Sequence, residues 1–521
     1  MAGDRNDHEG LRTLVSIGLA GWRLKRQAPL SQTLPQEQRW FQLLWSASLL
    51  LVCGISVATA LGLVWPALTA ESSIDAMAML EPPSLRGSRS RGPHGGSEQS
   101  NGMLRAGWQE LTTSNFSVVI DAGSTGSRIH VFRFERDGRL VDVNGEAEVL
   151  RSTSPGVSSC AGAPGSVHRC IASLLGPLLD AAAAVVPPSK QHATPLAFRA
   201  TAGLRMLPGS EADLLLEEVR SIIGGYSFLD AGVEVMSGVD EGIFEWVAVN
   251  TLLETLGPNR SSATVLDLGG ASVQIADAVE PDSLAASNIT QSADAVREVQ
   301  VPGLHGTSLV HTHTFLGYGI MSARARIMEE AELANLSFEN PCLLQGELVR
   351  YDHSGHHYDG QGTAEVAGCR QLIQRMLRSD SFSRAWSRRP SGVSTTNVGA
   401  RPHLQPFAAG AFFFDALQSA GAAAAGETQM EVSPATYAAL AAKACAEDSI
   451  TTALAAYPWL SPVRVTWLCF DLTYLAELLT TGLGLSEGQQ ITAVKQISHR
   501  GRSFSATWAL GVALDQIQKS S

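Results

Sequence analysis

Basic residues are scarce in this sequence: 38 Lys and Arg stand against 50 Asp and Glu, which leaves a net charge of −12 and an isoelectric point near 5.6. That balance gives no electrostatic footprint for nucleic acid and makes small molecules the better substrates to expect. The phosphate loop G-x-x-x-x-G-K-[ST] is missing, so a P-loop nucleotidase is excluded. Between Trp40 and Ala70 there is no Asp, Glu, Lys or Arg. About 20 apolar residues suffice to cross the hydrocarbon of a bilayer, and a run this long without a polar face reads as a membrane span rather than a buried core helix. No second run matches it. Val299 to Ala323 also lacks those four residue types, but its His, Gly, Thr and Gln residues make it too polar.

Charge on the two sides of the run sets an expected orientation. Arg23, Lys25, Arg26 and Arg39 precede it, whereas Glu71, Asp75 and Glu81 follow it before any basic residue, which puts the amino terminus in the cytosol and the large carboxy-terminal part in a lumen or outside the cell. Trp40, Phe41 and Trp65 suit the membrane interfaces. Cysteine is also sparse. Cys53 lies in the run, leaving Cys160, Cys170, Cys342, Cys369, Cys445 and Cys469. Six cysteines in an oxidising compartment predict three disulfides, with sequence neighbours as the simplest pairing among several. Sequons at Asn115, Asn259, Asn288 and Asn335 all fall on the same side of the span.

The expected organisation is a cytosolic tail over 1–39, a signal anchor over 40–70 and a flexible Pro-, Gly-, Ser- and Arg-rich stem over 71–110. The folded part begins near Leu111 and exceeds the roughly 250–300 residues of a single core, so two lobes are expected. A second soft stretch runs from about Arg378 to Gln405, and Ala420 to Gly426 reads as a loop or helix end. Glu211 to Ile223 has the spacing of an amphipathic helix and Val233 to Met236 that of the next strand, an alternation that favours an α/β class with mixed sheets.

One short pattern occurs twice. Val118-Val-Ile-Asp121-Ala-Gly-Ser124-Thr-Gly-Ser-Arg-Ile-His-Val is echoed about one domain length later by Val265-Leu-Asp267-Leu-Gly-Gly-Ala-Ser272-Val-Gln274-Ile. Both read strand, Asp, glycine-rich turn with hydroxyls, strand. Glycines let phosphate approach backbone N–H groups, and hydroxyls add donors. An Asp ending each strand would repel phosphate unless a divalent cation lay between, and hard oxygen ligands suit Mg²⁺ or Ca²⁺ that keeps several waters. Each copy alone could be an ordinary hairpin; two copies at domain spacing imply two similar lobes offering loops to a shared cleft.

Five ordered segments resemble the apyrase, or nucleoside triphosphate diphosphohydrolase, family: Val119 to Arg128, Ala200 to Arg205, Ser237 to Phe244, Leu266 to Gln274 and Pro406 to Phe414. Further matches lie at His313 to Gly319, Asn340 to Cys342 and Thr507 to Gly511, so the likeness covers about Phe116 to Leu514. The resemblance implies a duplicated actin-like, ribonuclease-H-type two-lobe fold, with a first lobe over 111–237 completed by 500–521 and a second over 238–499. It also implies that the carboxy-terminal helix returns to the first lobe, bringing Trp508 to the cleft.

The same resemblance supplies expected roles. Glu241, directly before Gly242, matches the catalytic base, and Asp240 beside it falls where the family varies. If the stretch is extended, the two acids point to opposite sides. Ser124, Thr125, Gly126 and Ser127 would hold phosphate from the first lobe, Gly269, Gly270, Ala271 and Ser272 from the second. Gln274 would orient the attacking water, Thr201 would sit near the attacked phosphate, and Asp121 and Asp267 would hold Ca²⁺ or Mg²⁺ through water. Arg205 is either another such residue or an ion-pair brace. His311 and His313 resemble a metal pair but match no family site, so core or surface histidines are expected. Phe412 to Phe414 are expected in the core, the alternative being that one of them borders the base. Leu483 occupies a position where some members stack an aromatic on the nucleobase, which points to weaker stacking.

The reading is a metal-dependent enzyme that removes the terminal phosphate of nucleoside tri- or diphosphates, held by one amino-terminal span in the Golgi membrane with a lumenal catalytic part, or at the plasma membrane facing outside. Two alternatives are an exopolyphosphatase-like hydrolase, disfavoured by the acidic balance, and a non-catalytic nucleotide-binding module of the same fold, disfavoured by the presence of Glu241, Asp121 and Asp267 together.

Overall fold

The computed structural model describes residues 115–162, 166–257, 261–279, 296–300, 307–336, 338–353, 355–378 and 407–520. The chain divides into two compact units, Met1–Gly96 and Ser97–Ser521. The first holds no described residue, so the expected tail and span, together with the stem, the sequons at Asn259 and Asn288 and nearly all of the soft stretch 378–405, lie outside the described residues. Among the described residues no helix is long and apolar enough to cross a membrane.

The second unit is built on two sheets. The first contains β1 (Asn115–Ala122), β2 (Ser127–Phe134), β3 (Leu140–Val141), β4 (Val149–Thr153), β5 (Pro195–Ala200) and β6 (Leu229–Val235) in the order β3-β2-β1-β5-β6, with β4 also on β2. The second contains β7 (Thr264–Leu268), β8 (Ser272–Ala278), β9 (Val296–Gln300), β10 (Thr307–Leu316), β14 (Phe407–Ala411), β15 (Gln429–Val432) and β16 (Ile491–Val494) in the order β15-β16-β14-β7-β8-β10-β9. Between β10 and β14 in sequence, β11 (Glu339–Asn340), β12 (Leu348–His353) and β13 (His356–Gly362) form a small separate sheet, and after β16, β17 (Gln496–His499) pairs with β18 (Arg502–Ser505).

One strand pattern occurs in both large sheets. β1 and β2 form an antiparallel hairpin, β5 runs parallel to β1, and β6 runs parallel to β5. In the same way β7 and β8 form a hairpin, β14 runs parallel to β7, and β16 runs parallel to β14. β4 on β2 and β10 on β8 complete the match with an antiparallel neighbour on the outer side of each hairpin. The α/β class read from the sequence is therefore observed, and the doubled motif marks equivalent places in two equivalent sheets.

Burial explains why these strands lie where they do. β1 is buried along all but its first residue, as a central strand covered on both faces should be. Val118 and Ile120 face a core shared with α1 (Val167–Val185) and α2 (Glu211–Ile223). Val119, on the other face, joins a core built from α3 (Gly238–Leu252) and α7 (Trp508–Ser520) together with Val265, Ala276 and Ala408 of the second sheet. These two helices thus fill the space between the sheets. They cross closely because residue 511 is Gly: a Cβ there would lie 2.2 Å from the Phe244 carbonyl oxygen. A buried Ser117 Oγ donates to Gln516 Oε1 at 2.6 Å and ties α7 to β1. The largest core lies on the far face of the second sheet, where α4 (Phe412–Ser419), α5 (Pro434–Ala444) and α6 (Pro462–Glu477) bury Phe413, Phe414, Tyr437, Leu468 and Tyr474.

α2 spans the predicted residues, whereas the strand expected at Val233 to Met236 begins earlier, at Leu229, and stops at Val235. The segment around Asp240 and Glu241 is not extended. It is the first turn of α3, capped by Ser237, whose Oγ accepts from the Asp240 N–H at 3.1 Å and donates to the Asp240 carboxylate at 2.7 Å. Two acids in that turn also suit the positive end of the helix dipole.

Cysteine neighbours pair as the simplest reading had it: Cys160–Cys170, Cys342–Cys369 and Cys445–Cys469. The last is buried and joins the end of α5 to the middle of α6. Replacing Cys445 and Cys469 by Ser should lower stability by about 2–5 kcal/mol, read as a lower thermal midpoint in non-reducing buffer. An unchanged midpoint would refute the structural weight of this bridge.

Candidate active site

Two hairpin loops face each other at the carboxyl ends of β1 and β7. In the first, the Gly123 N–H donates to the Gly126 carbonyl at 3.0 Å; in the second, the Gly269 N–H donates to the Ser272 carbonyl at 3.0 Å. Both bonds join the second and fifth residues after the strand-ending Asp. In register, Asp121 lies opposite Arg128 and Asp267 opposite Gln274. The loops abut so closely that a Cβ on Gly270 would lie 2.2 Å from Ser124 Oγ.

A cleft of about 390 Å³ opens beside this contact. Asp121, Gly123, Ser124 and Thr125 line it from the first hairpin, Asp267, Gly269, Gly270, Ala271 and Ser272 from the second, and Thr201 and Glu241 from their own elements. Thr201 is held there by its N–H, which donates to the Ala122 carbonyl at 3.1 Å. Three of the expected residues do not line the cleft. Gly126 packs against the Thr153 carbonyl, Ser127 is buried at the start of β2 with an unpartnered Oγ, and Gln274 lies behind Glu241.

Glu241 is 5% exposed and is gripped by two side chains. Arg205 Nη2 forms an ion pair with its Oε2, and Gln274 Nε2 donates to the same oxygen at 2.9 Å while also reaching Ser272 Oγ and Thr314 Oγ1. Arg205 is thus the brace of the two readings considered. Asp240 is exposed. A helix rotates successive residues by about 100°, so helical geometry, not strand alternation, separates the two acids.

Electrostatics in the cleft are dominated by buried negative charge. Burial pushes Glu241 up to about 8, and Asp267 and Asp121 add to the shift against the opposing Arg205. Burial and Asp121 push Asp267 up to about 6. Asp121 is raised by burial, partly offset by Arg128, whose Nη1 lies 3.4 Å from Asp121 Oδ2. Among the described residues no three His, Cys, Asp or Glu side chains converge on a bare ion. Carboxylates spread around a polar cleft, with too few protein cations, fit a hydrated divalent cation better than a bare one, and the sequence expectation for Asp121 and Asp267 is of contact through water.

The cleft also gathers residues that the sequence reading did not single out. Glu245 lines it one helical turn after Glu241, a signal that the i, i+4 spacing carries once the segment is known to be a helix. His130 Nδ1 lies 2.9 Å from Glu148 Oε2, and Glu148 Oε1 accepts the Ser505 N–H at 2.6 Å, so three distant segments meet at one wall. Burial opposes ionisation of Glu148, but these bonds hold it below the ordinary carboxylate value. Lys495 and Asp415 lie at the rim, 3.4 Å apart. Trp508 returns to the cleft as expected, and Phe412 lines it while Phe413 and Phe414 are fully buried. Leu483 is not at the cleft; it is buried in the largest core. His311 and His313 lie on β10 away from the cleft, and burial with its neighbour His313 pushes His311 down to about 4.

Raised acids make a signed prediction. Glu241 is raised to about 8 in the cation-free fold against an ordinary value of 4.5, so its stabilising contribution is complete below that ordinary value and is lost as pH rises through about 8. In chelator, the thermal midpoint of the Glu241→Gln variant relative to wild type should therefore rise between pH 5 and pH 8. Parallel midpoints across that range would contradict the shift.

With this geometry in view, the likenesses to known proteins fall into place. The profile of the GDA1/CD39 (nucleoside phosphatase) family matches residues 109–521. The chain is 32% identical over 416 residues to an apyrase of Solanum tuberosum, covering 78% of this chain and 89% of that protein. It is 28% identical over 423 residues to nucleoside-diphosphatase uda-1 of Caenorhabditis elegans, covering 76% and 81%. A solved structure of nucleoside triphosphate hydrolases from Neospora caninum overlays with a TM-score of 0.56 at 14% identity, covering 81% of this chain and 97% of that one, which supports the α/β fold alone. The chain belongs to the GDA1/CD39 (nucleoside phosphatase) family and is an enzyme that hydrolyses nucleoside phosphates.

Proposed function

We propose that the cleft removes the terminal phosphate of nucleoside tri- or diphosphates by attack of a water whose proton passes to Glu241. The water oxygen bonds to the terminal phosphorus, the bridging P–O bond breaks, and the shortened nucleotide leaves with that electron pair. The observation that carries this reading is the placing of a buried Glu241 carboxylate at the same cleft as both glycine-rich loops. Gln274 and Arg205 fix its direction, so the free lone pairs of Glu241 can meet a water held near Thr201 and Ser272. Backbone N–H groups and hydroxyls of residues 123–125 and 269–272 cradle phosphate oxygens from the two sides. A Mg²⁺ or Ca²⁺ ion reached through water by Asp121 and Asp267 would neutralise the phosphate charge and lower the Glu241 value towards working pH.

We assign residues 111–237 with 500–521 to a first lobe and 238–499 to a second, on the support of the repeated strand order and of α7 packing on β1. Three disulfides favour an oxidising compartment, in keeping with a type II anchor at 40–70 and a lumenal or extracellular catalytic part, the Golgi being the proposed membrane. Base contact falls to Phe412 and Trp508, the Phe and Trp side chains among the lining residues.

Two experiments test the reading. Glu241→Gln should lower kcat for phosphate release by about 10²–10⁴-fold with nucleotide binding retained, and chelator should silence the wild type; near-normal turnover removes Glu241 as the base. Phe412→Ala should raise KM for ATP and UDP by about tenfold, the loss of roughly 1–3 kcal/mol of stacking, with little effect on a phosphate donor lacking a base. An unchanged KM places the base elsewhere.

A further inference from the structure

Glu245 does nothing that the proposed reaction requires, yet it is 2% exposed, lines the cleft and keeps one carboxylate oxygen, Oε2, without a hydrogen-bond partner. The backbone N–H of Trp508 lies close enough to favour its ionised form. A buried, half-satisfied carboxylate is costly, and Leu or Ala at this position would avoid that cost. The neighbouring polar residue of the same helix behaves differently. Asn250 donates to the Trp246 and Ala263 carbonyls and accepts from the Ala263 N–H, as a structural side chain should.

The surroundings say what Glu245 faces. Gly410 on β14 is paired in parallel register with Asp267 on β7. A Cβ placed on Gly410 would lie 3.5 Å from Glu245 Oε1 and 3.9 Å from Asp267 Oδ1, so the two carboxylates flank a space that any larger residue would narrow. Protein cations are engaged elsewhere: Arg128 with Asp121, Arg205 with Glu241, Lys495 with Asp415. Asp267 and Glu245 are left facing one another without an ion pair among the described residues. A carboxylate bound to a cation through one water sits about 4–5 Å from it, from metal–water and hydrogen-bond lengths of roughly 2.1 and 2.7 Å.

We propose that Glu245 is a further carboxylate for the hydrated divalent cation, sharing its water shell with Asp267 across the space left by Gly410. This rests on the reading that the cleft holds such a cation. Three carboxylates around one hydrated ion bind it more tightly than two, and the added charge keeps the ion in place between turnovers.

The test uses the full chain freed of metal, a nucleotide analogue that is not hydrolysed, and Mg²⁺ or Ca²⁺ as the probe, followed by calorimetric titration and by the thermal midpoint. E245Q replaces a buried, half-satisfied carboxyl in a crowded acidic site, so in chelator it should melt at or above the wild-type temperature, a result that a merely bracing residue would reverse. It should also need about tenfold more cation for half-maximal effect, within the 10–100-fold range for outer-shell ligands. G410A, which fills the space with a methyl group, should shift the cation requirement the same way. Wild-type cation affinity in both variants, or a lowered midpoint of E245Q in chelator, overturns the role of Glu245. If D267N responds to cation as the wild type does, or the wild type does not respond, the cation site itself fails.

Discussion

Everything about this cleft turns on holding negative charge out of water at a place where more negative charge must enter. Asp121, Asp267, Glu241 and Glu245 converge there, and arginines pair with only two of them. Such a cluster opposes folding, since burial of a charge costs several kcal/mol when it is not matched. The fold meets that cost with stiffness. Each acid sits on a strand end or a helical turn rather than a loose loop, and each element is anchored in a core: β1 and β7 are central strands, and α3 is buried nearly all round. Side chains that would relax away from one another on a mobile segment are held facing inward, which is the pre-organisation that phosphoryl transfer needs.

α3 carries two duties that a single sequence pattern must serve. Its apolar residues fill the space between the sheets together with α7, while Glu241 and Glu245, four apart, form a polar stripe towards the cleft. The helix is capped by Ser237, whose hydroxyl takes the free Asp240 N–H, so Glu241 enters the cleft from a turn already fixed. α7 reaches the same place from the chain's other end. Ser505 is held by Glu148, and Trp508 then places its backbone N–H on Glu245 and its ring at the cleft. The first sheet, the last helix and the site are therefore locked by a small number of buried polar contacts rather than by one long interface.

How much of this could be read from sequence follows from how local each signal is. Both hairpins were legible because strand, Asp and glycine-rich loop are contiguous, and their repetition at domain spacing announced two sheets before any fold was known. Glu241, the proposed base, was legible only through its motif; the helix that carries it was not read, because Gly238 and Gly242 weaken a helical pattern and a helix buried nearly all round lacks the broad solvent-facing polar side of an amphipathic one. Without the helix, the link between Glu241 and Glu245 is invisible. His130, Glu148 and Ser505 meet from three separate segments, and no spacing rule connects them. Leu483 left its expected place, and Phe412 took the alternative left open for one of three Phe residues, because the face a residue presents depends on packing: Leu483 is absorbed by the core beyond α6, and Phe412 turns out of α4 to the cleft.

Duplication also explains why the two hairpins cannot be identical. Counted from the strand-ending Asp, Ser124 and Gly270 occupy the same position, and they meet across the cleft with no room for a Cβ on Gly270. A symmetric pair of serines would collide, so one copy keeps the hydroxyl and the other gives up its side chain. Further along the same register, Arg128 and Gln274 are equivalents with different tasks: the first pairs with its own Asp121, whereas the second turns to Glu241. An arginine at the second place would add a charge beside the base and stabilise its ionised form at the expense of its affinity for a proton. A neutral amide orients the carboxylate and leaves that affinity intact. On the proposed function, two copies of one strand–loop–strand unit have thus divided the work, the first supplying charge compensation and hydroxyls for phosphate, the second supplying close approach and the direction of Glu241.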